Sequence, residues 1–128
     1  MFTALLTIVM TLTCILPVSS PRNQPPVATD DEVMVTGYTD YLEIPVFAND
    51  YDPEGKPIDV VALGQVDRGK AELLEGDAVG VFPEYPADLD TRGRKPVLIA
   101  HGTYVISDGH LTSTGHWYVW YQPATPAD

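Results

Sequence analysis

The chain has 128 residues and a formal net charge of −11, with seven Lys and Arg against 18 Asp and Glu. That balance argues against nucleic acid and anionic membrane surfaces as partners, and twelve prolines with ten glycines argue against a mainly helical protein. The single cysteine, Cys14, falls in the leading apolar segment, so the rest of the chain has no disulfide and is held by packing, with or without a metal.

Met1 to Val18 is apolar and carries no charged side chain, and Ser19-Ser20-Pro21 follows. This is the pattern of a secretory signal peptide over residues 1–20. Its first residues lack Lys and Arg, and Pro17 and Pro21 crowd the cleavage points, so an uncleaved N-terminal membrane anchor is the alternative. Cys14 follows Thr11-Leu12-Thr13, a poor match to a lipoprotein site. The expected location is secreted, extracellular or at the cell surface, with membrane contact only through an uncleaved leading segment. Residues 21–30 form a polar, proline-rich linker.

Short apolar runs bounded by turn residues come next. The expected strands are Glu32–Thr36, Tyr41–Phe47, Ile58–Gln65, Lys70–Leu74, Ala78–Phe82, Pro96–Ser107 and His110–Gln122. Glu75-Gly76-Asp77 and Asp108-Gly109 read as hairpin turns, and Pro83 to Lys95 reads as a longer polar loop. Seven strands without an amphipathic helix predict an all-β, antiparallel sandwich over residues 31–122, followed by a proline-rich tail or linker over residues 123–128.

The stretch Asn49-Asp50-Tyr51-Asp52-Pro53-Glu54-Gly55 is a turn, because Pro53 and Gly55 forbid a regular element. Its carboxylates repel one another unless water, a cation or a base offsets them, and Ca²⁺ takes six to eight such oxygens from flexible loops. In a seven-stranded sandwich the start of the first strand shares a pole with the loops after strands two, four and six. Asp30, Asp31, Asn49, Asp50, Asp52, Glu54, Glu75, Asp77 and Asp108 therefore gather where the linker enters, with only Lys56 to offset them locally. The metal candidates are Asp30, Asp31, Asn49, Asp50, Asp52, Glu54 and Asp108. A solvated acidic surface that keeps the domain soluble is the plainer alternative. The opposite pole carries Arg68, Lys70, Arg92, Arg94 and Lys95 together with Asp67, Asp88 and Asp90.

A two-residue turn at Asp108-Gly109 pairs Ile106 with Leu111, Tyr104 with Ser113, Gly102 with Gly115 and His101 with His116. Alternation then puts Leu98, Ala100, Tyr104, Ile106, Leu111, Trp117, Val119 and Tyr121 on the core face, with Trp117 filling the space beneath the glycines. Val97, Ile99, His101, Tyr118 and Trp120 fall on the outer face. Zinc needs three or four ligands, and neither cysteine nor an evident carboxylate accompanies the two histidines, so they read as a cross-strand pair. Tyr118 and Trp120 form a candidate ligand-binding patch for a sugar or a protein. No nucleophile elbow, metalloprotease helix or phosphate loop occurs, and Asp50 with Asp52 on one short turn is no glycosidase pair, so no catalysis is expected.

Four segments in order carry a family resemblance. They are Pro25-Pro26-Val27-Ala28-Thr29-Asp30-Asp31, the stretch from Ile44-Pro45-Val46-Phe47 through Ala48-Asn49-Asp50 to Gly55, Gly76-Asp77, and Thr103-Tyr104-Val105-Ile106-Ser107-Asp108-Gly109. Over Asn23 to about Gln122 the chain resembles the cadherin-like, immunoglobulin-like tandem-repeat domains of bacterial surface proteins. Gly102 stands where that pattern has a large aromatic, and Ala100 where it often has an acid. The resemblance implies an immunoglobulin-like (cadherin-like) β-sandwich, a non-catalytic adhesion or spacer role, and Ca²⁺ at domain junctions in some members. Its implied partners are neighbouring repeat domains or a surface protein or glycan. The rival expectation is a carbohydrate- or protein-binding domain that uses the outer aromatic face without a metal.

Overall fold

The computed structural model describes residues 22–93 and 95–124. The expected signal peptide, Arg94 and the last four residues of the tail lie outside them. Seven strands follow in chain order: β1 (Asp31–Val35), β2 (Leu42–Ile44), β3 (Asp59–Arg68), β4 (Lys70–Leu73), β5 (Val79–Phe82), β6 (Val97–Ser107) and β7 (Thr112–Tyr121). They form a four-stranded sheet in the order β1-β7-β6-β3 and a three-stranded sheet in the order β2-β5-β4. The two sheets make an immunoglobulin-like sandwich.

One pairing departs from the antiparallel expectation: β1 runs parallel to β7, from Asp31 opposite Trp117 to Val35 opposite Tyr121. Both strands start at the linker pole and run the same way, and the rest of the domain provides the crossover that a parallel pair requires. The expected strand Tyr41–Phe47 also stops early. Pro45 has no N–H to continue the ladder, so β2 ends at Ile44 and Val46–Asn49 forms a single 3₁₀ turn that still buries Val46. β3 runs three residues beyond expectation, to Arg68, through several register shifts. The chain then passes between sheets at Gly69, where φ is +81° and an added Cβ would lie 2.7 Å from the Phe82 carbonyl oxygen.

Tyr104, Ile106, Trp117 and Val119 are fully buried in one core with Ile44 and Val46, as the alternation predicts. The final hairpin differs by two residues. Its loop is Asp108–Leu111, closed by the Asp108 N–H donating to the Leu111 carbonyl. Ser107 thus faces Thr112, Tyr104 faces Gly115, and Gly102 faces Trp117. A shift of two keeps each side chain on its face, so the core assignment survives from Ala100 onward, except that Leu111 moves into the exposed loop, whereas Leu98, opposite Trp120, leaves the core and Val97, opposite Tyr121, packs against it. Each glycine makes room for an aromatic ring: a Cβ at Gly102 would overlap Trp117, and one at Gly115 would overlap Tyr104. Ile99, expected outside, is buried. A bulge between Leu98 and Ala100 turns it inward.

Candidate functional site at the acidic pole

Asp31, Asp50, Asp52, Glu54, Asp77 and Asp108 at the linker pole all carry hydrogen bonds, and Glu54, Asp50 and Asp108 hold the linker itself. Asp52 makes an Asx turn, its Oδ1 accepting from the Glu54 N–H at 2.9 Å and the Lys56 N–H at 3.1 Å. The neighbouring Glu54 accepts from the Gln24 N–H at 2.6 Å. Asp108 caps its own loop, with Oδ1 taking the His110 and Leu111 N–H groups at 2.7 Å each. Its Oδ2 takes the Asn23 side-chain amide at 2.8 Å, and Asn23 Oδ1 takes the Lys56 ammonium at 2.6 Å. The Leu111 N–H, foremost, with the Asn23 and His110 donors and nearby Lys56, holds the Asp108 carboxyl well below the usual carboxylate range. Asp77 accepts from the Val60 N–H and pins the start of β3 to the same pole.

The second group surrounds Tyr104, whose ring is core and whose hydroxyl reaches this pole. Asp50 Oδ2 lies 2.8 Å from that hydroxyl, Thr29 O 3.0 Å, Asp50 Oδ1 3.1 Å, Asp31 Oδ2 3.2 Å and Val46 O 3.4 Å. Asp50 Oδ1 also accepts from the Thr29 N–H at 2.7 Å. Partial burial pushes the Asp31 carboxyl up to about 6, Tyr104 and Asn49 opposing the rise and Asp50 and Asp30 adding to it. Burial raises Asp50 as well, against the Thr29 and Tyr104 donors, and raises the Tyr104 hydroxyl, with Asp50 beside it adding to the shift. Asp30 is exposed and contributes its carbonyl, which accepts from the Asn49 amide at 3.4 Å.

These two groups bind the linker from Asn23 to Thr29 along its length. Val27 and Tyr51 exchange two backbone bonds, at 2.7 and 3.1 Å, and the Ser113 hydroxyl donates to the Pro26 carbonyl. Pro26 is buried. Sequence reasoning found the acids, with Lys56 beside them, but missed what they hold. Asn23, Gln24 and Ser113 are ordinary polar residues whose roles depend on a fold that brings positions tens of residues apart together.

The metal candidates read from the turn and the strand order, Asp30, Asp31, Asn49, Asp50, Asp52, Glu54 and Asp108, divide between these two groups. Among the described residues no three His, Cys, Asp or Glu side chains are grouped to hold a metal ion. Asp52 Oδ2 is buried without a partner, but one oxygen falls far short of the six to eight that Ca²⁺ takes. The residues present do not fit a calcium cage.

The outer face of the larger sheet carries Tyr118 and Trp120, both half-buried. Their rings lie 6.5 Å apart and within 15° of parallel, and Tyr118 stacks on His101 at 4.5 Å. His101 and His116 are diagonal rather than opposite. Their planes differ by 6° and their centroids lie 5.5 Å apart with His101 Nε2 3.2 Å from His116 Nδ1, so the rings meet edge to edge. A carboxylate does accompany them, contrary to expectation: Asp67 on β3 bonds His101 Nδ1. The long loop, starting at Pro83, covers a different place. Tyr85 sits between Tyr38, at 4.7 Å, and the core residue Tyr121, at 5.9 Å.

Two sheets with a Tyr–Trp core, closed at one pole by a fastened linker, define an immunoglobulin-like module. Sequence comparison agrees: a profile of the bacterial Ig domain matches residues 23–119, and the chain belongs to that family. Domains of this family typically occur in surface or secreted proteins and are typically not enzymes. Searches of curated proteins and of solved structures gave no match.

Proposed function

We propose that the domain is a non-catalytic spacer or adhesion module of a secreted or cell-surface protein, a repeat in a rod whose stiffness starts in the linker. The observation that carries this reading is the attachment of residues 23–29 to the body through Glu54, Asp50, Asp108, Tyr51 and Ser113. A proline-rich linker is already stiff. Fastened at both ends and in the middle, it moves with its domain and transmits that domain's orientation to whatever precedes it. Glu54 and Asp50 supply this fastening through backbone N–H groups and Asp108 through the Asn23 side-chain amide, so the reading rests on hydrogen bonds within the chain. Small-angle scattering on two tandem copies tests it. The expected profile is extended and the same in Ca²⁺ and EDTA, and a flexible profile in both would refute it.

A second reading rests on the outer face, where exposed Met34 lies in register beside Trp120. This end of the aromatic row offers an apolar edge to a protein or glycan. Array binding that is lost on Trp120→Ala, with the melting temperature unchanged, would support it. Binding that survives the substitution would refute it.

A further inference from the structure

The linker fastening has an unequal supply of protons at its centre. Five oxygens from Thr29, Asp31, Val46 and Asp50 lie within 3.4 Å of one hydroxyl, which has a single hydrogen to offer. All five are acceptors. The Thr29 N–H serves Asp50, and the Asn49 amide serves the Asp30 carbonyl and the Asp31 side chain. Asp30, exposed at the edge, adds negative charge. No Lys or Arg is among the groups acting on Asp31 or Asp50. At neutral pH two carboxylates therefore compete for one O–H in a partly dry site, where unmet acceptors are costly.

We propose that Tyr104, Asp31 and Asp50 form a proton-tightened latch on the incoming linker: one proton taken up between the two carboxylates supplies the missing second O–H and fastens residues 27–31 more firmly to the body. The proton comes from solvent and no bond other than hydrogen bonds changes. Thr29 links the latch to the chain, giving its N–H to Asp50 and placing its carbonyl against Tyr104. The sign follows from the raised Asp31 carboxyl. A group that protonates more readily folded than unfolded stabilises the folded state as pH falls from about 6 toward its ordinary value of 3.8. Mild acid thus tightens the linker, whereas most acid effects on a folded domain loosen it.

The test uses the single domain, so its failure would leave the rod reading standing. Amide exchange at Thr29, corrected for the intrinsic effect of pH, is followed at about pH 7.5 and about pH 5 alongside the melting temperature. Thr29 should exchange several-fold more slowly at the lower pH. Asp31→Asn offers a permanent N–H in place of the proton, and at both pH values should show the slow exchange of the acid form. Asp50→Asn is the second variant and should behave the same way. Equal Thr29 protection at the two pH values in the wild type would overturn the proposal, as would a pH effect that persists in both variants. So would a slowing by millimolar Ca²⁺ at neutral pH that Asp31→Asn removes, since the node would then be a cation site.

Discussion

Replacing Tyr104 with Phe isolates one hydroxyl from a ring that is otherwise retained. The ring fills the space above Gly115 and is fully buried, so packing is conserved and the change falls on the polar end alone. A hydrogen bond to a charged acceptor contributes about 1.5–3 kcal/mol net. Asp31 and Asp50 retain some access to water, which offsets part of the loss, so the expected cost at neutral pH is about 2 kcal/mol. At about 4–8 °C per kcal/mol for a domain of this size, the melting temperature should fall by about 8–16 °C. Urea unfolding at constant m-value is the assay, because an altered slope would mean that more than the hydroxyl had changed. The penalty should shrink in mild acid, where a protonated carboxyl supplies the O–H that Phe lacks. Tyr104→Ala adds a cavity and should cost about 3 kcal/mol or more. A Phe variant within about 0.5 kcal/mol of the wild type would show that the hydroxyl holds nothing, and the account of the linker pole would collapse with it.

The pH profile of stability should be a dome rather than a plateau. Asp31 adds stability as pH falls below about 6, whereas Asp108, held below its ordinary value of 3.8, contributes stability that is present above that value and lost on further acidification. Thermal melts from neutral to strongly acidic pH should peak in mild acid, and a monotonic decline from neutrality would contradict this. Gly69→Ala should destabilise by about 1–3 kcal/mol because positive φ and the Phe82 carbonyl both oppose a Cβ, and denaturant unfolding measures it. Ile99→Ala should cost about 2–4 kcal/mol and Leu111→Ala less than about 1 kcal/mol, the reverse of what simple alternation predicts.

Strand positions were legible because each apolar run is bounded by residues that stop a ladder, and because β6 and β7 alternate cleanly. Pairing was harder. The register of the last hairpin depends on Asp108 capturing two N–H groups and so holding a four-residue loop, a choice that Asp-Gly alone does not announce. Ile99 was misplaced for a related reason, since one inserted residue near Leu98 reverses every assignment before it. The acids were found as a group, but their roles were not. Whether a carboxylate faces a cation, a proton or a backbone N–H depends on which segment folds over it, and here that segment is the linker, whose polar residues look unremarkable in isolation. Asp67 and His101 met for a similar reason, through the β3–β6 register and its shifts.

The parallel pairing of β1 with β7 bears on how the domain responds to tension. The chain enters at the start of β1 and leaves at the end of β7, so stretching it drags two adjacent strands in opposite directions along their own length. Their ladder, from Asp31 beside Trp117 to Val35 beside Tyr121, is then loaded in shear. Its bonds must yield together, because none can be peeled open first. Forced rupture is governed by the unfolding rate rather than by equilibrium stability. A domain of only modest thermal stability could therefore bear a substantial pull. The Val35 carbonyl accepts from the Gln122 N–H, so Val33, two residues before it, turns its backbone groups the same way, and Val33→Pro, which removes that N–H, should lower the rupture force in single-molecule stretching more than its melting temperature suggests.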